Sequence, residues 1–178
     1  MPSPRSHSRM PIPRRGLLAL GASLAGVLAL GAGSAGCSKS YIPNTDVPDT
    51  KENRKLVAFC EKYRKAVSRQ DIGVILEMIS PDYYEDGGNV DAEDDLDYAG
   101  VKEYLEDRFQ DARGIRYEIR YRRITKEAER IYVDYTFTSS WRIPIGAGEE
   151  WQRKVDDNRL ELIAANEKND GYLIIAGL

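Results

Sequence analysis

The hydrophobic period of this chain changes at Gly114. Before it, apolar residues recur at helical spacing; after it, they alternate with polar ones. Leu56, Phe59, Cys60, Tyr63, Ala66 and Val67 form one stripe, and Ile72, Ile75, Leu76 and Ile79 form a second at i, i+3, i+4 and i+7. Asp49 and Glu52 are spaced as a capping pair for the first helix, Asp71 is placed to cap the second, and Pro81 ends it. A third helix is predicted from Tyr98 to about Gln110, with Val101, Tyr104, Leu105 and Phe109 on one face. Then Ile115, Tyr117, Ile119 and Tyr121 alternate with Arg116, Glu118, Arg120 and Arg122, and Ile131, Val133, Tyr135 and Phe137 with Tyr132, Asp134, Thr136 and Thr138. Arg142 to Glu150 reads as a turn. Trp151 to Val155 and Arg159 to Ala165 read as strand, interrupted at Asp156-Asp157-Asn158 by a bulge or short turn. Asn169-Asp170-Gly171 turns the chain into a last strand, Tyr172 to Ala176. Helices first and strands after predict an α+β domain with three helices packed on one face of an antiparallel sheet.

The 178 residues suffice for one such domain with something attached. The attachment is amino-terminal. Residues 1–36 hold four of the 26 bases and none of the 29 acids, which leaves 22 bases against 29 acids and a net charge of −7 for the rest. Arg14 and Arg15 precede an uncharged run from Gly16 to Gly36, rich in Gly, Ala and Ser, that closes on Ser34-Ala35-Gly36-Cys37. A basic start, a moderately apolar stretch and small residues before a cleavage point are the layout of an export signal. An uncleaved helical anchor is the competing reading, since roughly 20 apolar residues span a bilayer. The segment resembles a bacterial lipoprotein signal, which implies that Cys37 becomes the first mature residue and is acylated. Arg14-Arg15-Gly16-Leu17-Leu18 is similar to a twin-arginine export motif, although general secretion signals also carry paired arginines. The expected division is therefore a signal at 1–36, a lipidated cysteine and flexible tether at 37–49, and a domain at 50–178. A polar tether of about ten residues reaches on the order of 30 Å, enough for the domain to stand clear of the membrane.

Much chemistry is excluded by composition. The only histidine is His7, so the mature chain lacks the commonest general base and metal ligand. Cys60 lies among Val57, Leu56 and Phe59 and reads as a buried thiol; with Cys37 acylated it has no disulfide partner. No CxxC pair is present, and the acidic run from Asp82 to Asp97 does not carry the spacing of a calcium loop, so neither metals nor cofactors are expected. Gly146-Ala147-Gly148 sits between strands rather than before a helix and is a turn, not a phosphate loop. The basic stretch Arg113 to Arg130 places Tyr117 and Tyr121 on the face opposite most of its arginines, and an exported domain of charge −7 is not a nucleic-acid binder. Trp141 and Trp151 flank the turn at similar distances and are expected to pair across the strands.

The order of elements from about residue 50 to the end resembles the nuclear transport factor 2-like fold, also called cystatin-like or SnoaL-like. The resemblance is most specific over Tyr63 to Asp86, where Tyr-x7-Asp-Ile-x2-Ile-Leu-x2-Ile-x-Pro-Asp-Tyr resembles the helix-helix-strand opening of that fold. It implies a sheet curved into a cone over the helices, with a cavity inside. The fold hosts both enzymes and non-catalytic accessory domains, so it does not decide function. Compared with the ketosteroid isomerases, which use a carboxylate base beside an oxyanion hole of tyrosine and protonated acid, Tyr63 matches the tyrosine. The base falls on Gly87, beside Asp86, and the second acid near Asp156-Asp157. Tyr63, Asp86, Asp157 and Tyr83 are thus the candidate cavity or catalytic residues. The expected function is an envelope lipoprotein, held in the bilayer through Cys37, whose domain binds a small apolar ligand or a partner protein without catalysis. Alternatives are a cofactor-free isomerase or lyase and a structural homodimer.

Overall fold

The computed structural model describes residues 40–87, 95–166 and 170–178. The expected export signal with Arg14 and Arg15, and the expected lipidation site Cys37, lie outside the described residues. The first helix, α1, spans Lys51–Arg69, and its N-cap is Thr50, whose hydroxyl accepts from Asn53 N at 3.1 Å. Asp49, expected as the cap, instead forms a bidentate pair with Arg54. α2 (Ile72–Glu77) is capped by Asp71 as predicted, and α3 covers Tyr98–Gln110 with Asp97 as its cap. Two short strands, β1 (Tyr84–Glu85) and β2 (Leu96–Asp97), pair with each other. The remaining strands are long: β3 Arg113–Glu127, β4 Arg130–Ile145, β5 Gly148–Ala164 and β6 Tyr172–Ala176. They form an antiparallel sheet in sequence order, curved against the helices without closing into a barrel.

Two expectations about the strands are corrected. Arg142 to Glu150 is not a turn, because β4 and β5 stay paired to Ile145↔Gly148 and connect through Gly146 and Ala147 alone, with Gly146 at φ 57. Left-handed backbone at the first loop residue is what a tight two-residue hairpin requires. Nor does β5 break at Asp156-Asp157-Asn158, which pair in unbroken register with Phe137, Thr136 and Tyr135. Each of the three polar side chains has a partner: Lys154 for Asp156, Thr136 for Asp157, and Tyr135 for Asn158. Those bonds offset the poor strand preference that predicts a break.

The core lies between the α1 stripe and the inner sheet face. Leu56, Phe59, Cys60, Tyr63 and Ala66 are buried against Tyr117, Tyr121, Val133, Tyr135, Leu160, Leu162 and Ile174. Burial pushes the Cys60 thiol up to about 12, which keeps it protonated. Both sheet edges are covered. On the β6 side, Ser80 N donates to Ile174 O and Ile174 N to Met78 O. On the β3 side, residues 40–49 fold back on the domain: Tyr41 bridges Pro48, Asp46 N donates to Tyr121 O at 2.9 Å, and Val47 is fully buried. This stretch, read from sequence as tether, is therefore part of the domain. Covering edge strands in this way withholds them from pairing with other chains.

Candidate functional site

Between the C-terminal half of α1, helix α3 and the inner sheet face lies a cavity of about 450 Å³. Its deep wall is aromatic. Tyr63 from α1 meets Tyr117 from β3 edge-on, with ring centroids 6.5 Å apart and planes at 88°, and Tyr117 packs on Phe137 of β4 at 5.4 Å. Ile115, Trp141, Tyr104, Phe109 and Leu178 extend the lining. These residues meet because two periods converge. Tyr63 and Val67 are four apart on one helix face, while Ile115 and Tyr117, like Phe137, Ser139 and Trp141, are two apart on strands and share the inner face.

Polar groups inside the wall are ordered. Asn158 Nδ2 donates to Tyr135 Oη at 3.1 Å and to Gly177 O at 3.2 Å, and the Tyr135 hydroxyl is hydrogen-bonded to that of Tyr117. Since Tyr135 accepts from Asn158, its own proton goes to Tyr117, and the Tyr117 proton can be donated into the cavity. Burial holds Tyr63 and Tyr135 well above the usual tyrosine range and pushes Tyr117 up to about 12, so all three phenols stay neutral donors. The mouth is charged. Lys154 pairs with Asp156 at 3.1 Å and sits over the Phe137 ring at 5.6 Å, while Arg108 sits over Tyr104 at 5.1 Å.

The structure brings only part of the predicted set together. Tyr63 lines the cavity. Tyr83 is buried outside the lining, and its hydroxyl accepts from Leu178 N at 3.3 Å, which makes it a clamp on the carboxyl-terminal strand. Asp86 is exposed and is not part of the cavity wall; neither is Gly87. Asp157 is at the rim, but its carboxylate accepts from Thr136 Oγ1 at 2.6 Å, and Thr136 in turn accepts from Arg122 Nε at 2.9 Å, all on the outer sheet face. Its neighbour Asp156, opposite inward-facing Phe137, holds the cavity side. The two tryptophans do not pair, since Trp141 faces Gln152 and Trp151 faces Arg142. A one-residue offset puts Trp141 in the cavity lining and Trp151 on the outer face between Arg116 and Arg142, at 5.0 and 5.6 Å. Tyr117 and Asn158 were not singled out by sequence reasoning. Alternation puts Tyr117 on the apolar face of its strand, whereas Asn158 sits in a run that reads as a strand break.

Among the described residues no group of ligands that could hold a metal ion is found, and no helix is long and apolar enough to cross a membrane. No protein-family model matches the chain. No curated protein matches it either. Solved structures do. A conserved protein from Planctomyces limnophilus superposes with a TM-score of 0.58 at 9% identity, over 71% of this chain and 92% of that one. A nuclear transport factor 2-like superfamily protein from Salmonella enterica gives 0.56 at 8% identity over 70% and 86%. A candidate dehydratase of the same family from Streptomyces avermitilis gives 0.55 at 10% identity over 71% and 93%. At these identities the likeness speaks for architecture alone, and that architecture, three helices on a curved antiparallel sheet, is the nuclear transport factor 2-like fold.

Proposed function

We propose that this protein is a bacterial envelope lipoprotein, exported through the signal at 1–36 and acylated at Cys37, whose domain binds a small apolar ligand without transforming it. The observation that carries the binding reading is the aromatic cavity of about 450 Å³ with the Tyr117 phenol, backed by Tyr135 and Asn158, as a donor in its wall. Its volume falls in the range of small-molecule sites, and apolar walls with a few placed donors are how such sites bind. A flat ligand carrying one acceptor oxygen fits that lining. Catalysis of the isomerase type calls for a carboxylate base beside Tyr63, and the two acids at the rim are engaged elsewhere, Asp156 by Lys154 and Asp157 by Thr136.

The test is titration with an apolar fluorescent probe, 2-naphthol, whose hydroxyl oxygen offers the acceptor. The native domain is expected to bind it, and Ser139→Trp, which fills the cavity from the inner face of β4, to weaken binding by at least about tenfold, or 1.4 kcal/mol. Tyr117→Phe is expected to weaken it less, by about 1 kcal/mol for one neutral hydrogen bond. Equal affinity in native and Ser139→Trp proteins of unchanged circular dichroism would overturn the reading. Acylation is tested separately: labelled palmitate is expected on the native chain and not on Cys37→Ala.

A further inference from the structure

We infer that the domain lies against the lipid headgroups on the end where α1 begins, with the cavity mouth turned away from the membrane. The inference rests on acylation at Cys37 and goes beyond it. Cys37 is three residues from Ser40, and three extended residues reach at most about 11 Å. The leash stops there, because Ser40 is already part of the domain: its carbonyl accepts from Asp49 N at 2.8 Å, next to the Thr50 cap of α1. An acyl chain on Cys37 therefore holds Ser40 within about 11 Å of the bilayer surface, and through Asp49 it keeps the end where α1 begins beside that surface. The tether of about 30 Å read from the sequence is absent, since residues 40–49 are committed to the sheet edge through Val47 and Asp46.

The polarity of α1 decides the rest. The helix runs antiparallel to β3: Glu52 near its start pairs with Lys126, Tyr121 bonds Glu61 midway, and Gln70 at its end donates to the carbonyls of Phe109 and Ala112. The cavity takes Tyr63 and Val67 from the far half of the helix, together with Ala112, Ile115 and Tyr117. At 1.5 Å per residue, Tyr63 and Val67 stand roughly 18 and 24 Å along the axis from Lys51. Tyr41, 51% exposed, marks the membrane end; Trp141 and Trp151, in the β4–β5 hairpin, mark the other. A ligand then enters from the aqueous side or from a partner there, not directly from the anchoring leaflet.

The full acylated chain, reconstituted in phosphatidylglycerol and phosphatidylethanolamine vesicles that include a lipid with a nitroxide on its headgroup, tests this. The labelled headgroup is expected to leave the emission of native Trp141 and Trp151 unchanged and to quench the emission added by Tyr41→Trp. Inserting twenty Gly/Ser residues between Ser38 and Lys39 is expected to abolish that quenching while the protein still floats with the vesicles. Quenching of the native tryptophans, or none at position 41 with the native leash, would overturn the orientation. Should Tyr41→Trp fold poorly, the same quenching measured on a bimane at Lys51→Cys replaces it. Loss of flotation by the native chain would instead overturn the acylation reading, which separates the two.

Discussion

At Gly177 one missing atom lets the chain beyond β6 pass directly against the backbone of β5. A Cβ there would sit 1.9 Å from the Arg159 carbonyl oxygen, and the backbone is at φ 92, where side chains are strained whatever the space. The close approach accompanies a register shift at Glu161 and Leu162, and it lets Gly177 N reach Glu85 while Gly177 O accepts from Asn158. Gly177→Ala is expected to cost about 2–4 kcal/mol, from the clash and the backbone strain together. A urea midpoint unchanged from native would refute this. The same variant is expected to weaken probe binding, since Leu178, in the cavity lining, is displaced with it. Nothing in the sequence distinguishes this glycine from any other near a strand end, because the crowding comes from a residue eighteen positions earlier. Side-chain parity is similarly hidden: whether Asp156 or Asp157, Trp141 or Trp151, faces inward depends on register across the hairpin, and a miscount of one reverses each assignment.

Among elements, the segment 40–49 departs most from its appearance. Two prolines, few apolar residues and no period make it read as linker, yet Val47 is buried against the core and Asp46 bridges Arg120 and Arg122. A single valine in an aperiodic stretch carries no signal that local patterning can register. Val47→Asp is expected to destabilise the domain by at least about 2 kcal/mol, through lost burial and an unpaired buried carboxylate. A chain beginning at Thr50 is expected to unfold at lower urea than one beginning at Lys39; equal midpoints would restore the tether reading. The three helices are legible because their stripes and the Asp71 cap are local, but α2 ends at Glu77, short of the stripe's last member Ile79, which instead bridges Ile174 of β6. β5 is not legible, because the bonds that carry it through Asp157-Asn158 come from Thr136 and Tyr135 of β4, more than twenty residues earlier.

The whole molecule is built around tyrosines: Tyr63, Tyr83, Tyr117, Tyr121 and Tyr135 are all buried, and burial raises each of them above the ordinary value. The unfolded chain ionises first, near the tyrosine value of 10.0, while folded Tyr117 holds its proton to about 12. Unfolding above pH 10 thus releases protons, so the contribution is complete below pH 10 and falls as pH rises toward 12. Cys60, raised from 9.0 to about 12, adds to the same slope from about pH 9. Tyr117 alone accounts for on the order of 2–3 kcal/mol. Stability is therefore expected to decline steeply above pH 10, with tyrosinate absorbance from the core appearing together with loss of circular dichroism; titration of all eleven tyrosines near pH 10 in the folded state would contradict it. The α+β class, the order of elements, the acidic charge of residues 37–178 and the absence of histidine from them can all be read before folding, because period and composition are properties of a chain before it folds. Tertiary structure alone decided which phenols meet in one cavity, which acid faces it, and that the supposed tether is part of the domain, because each depends on register or on contacts between residues distant in sequence.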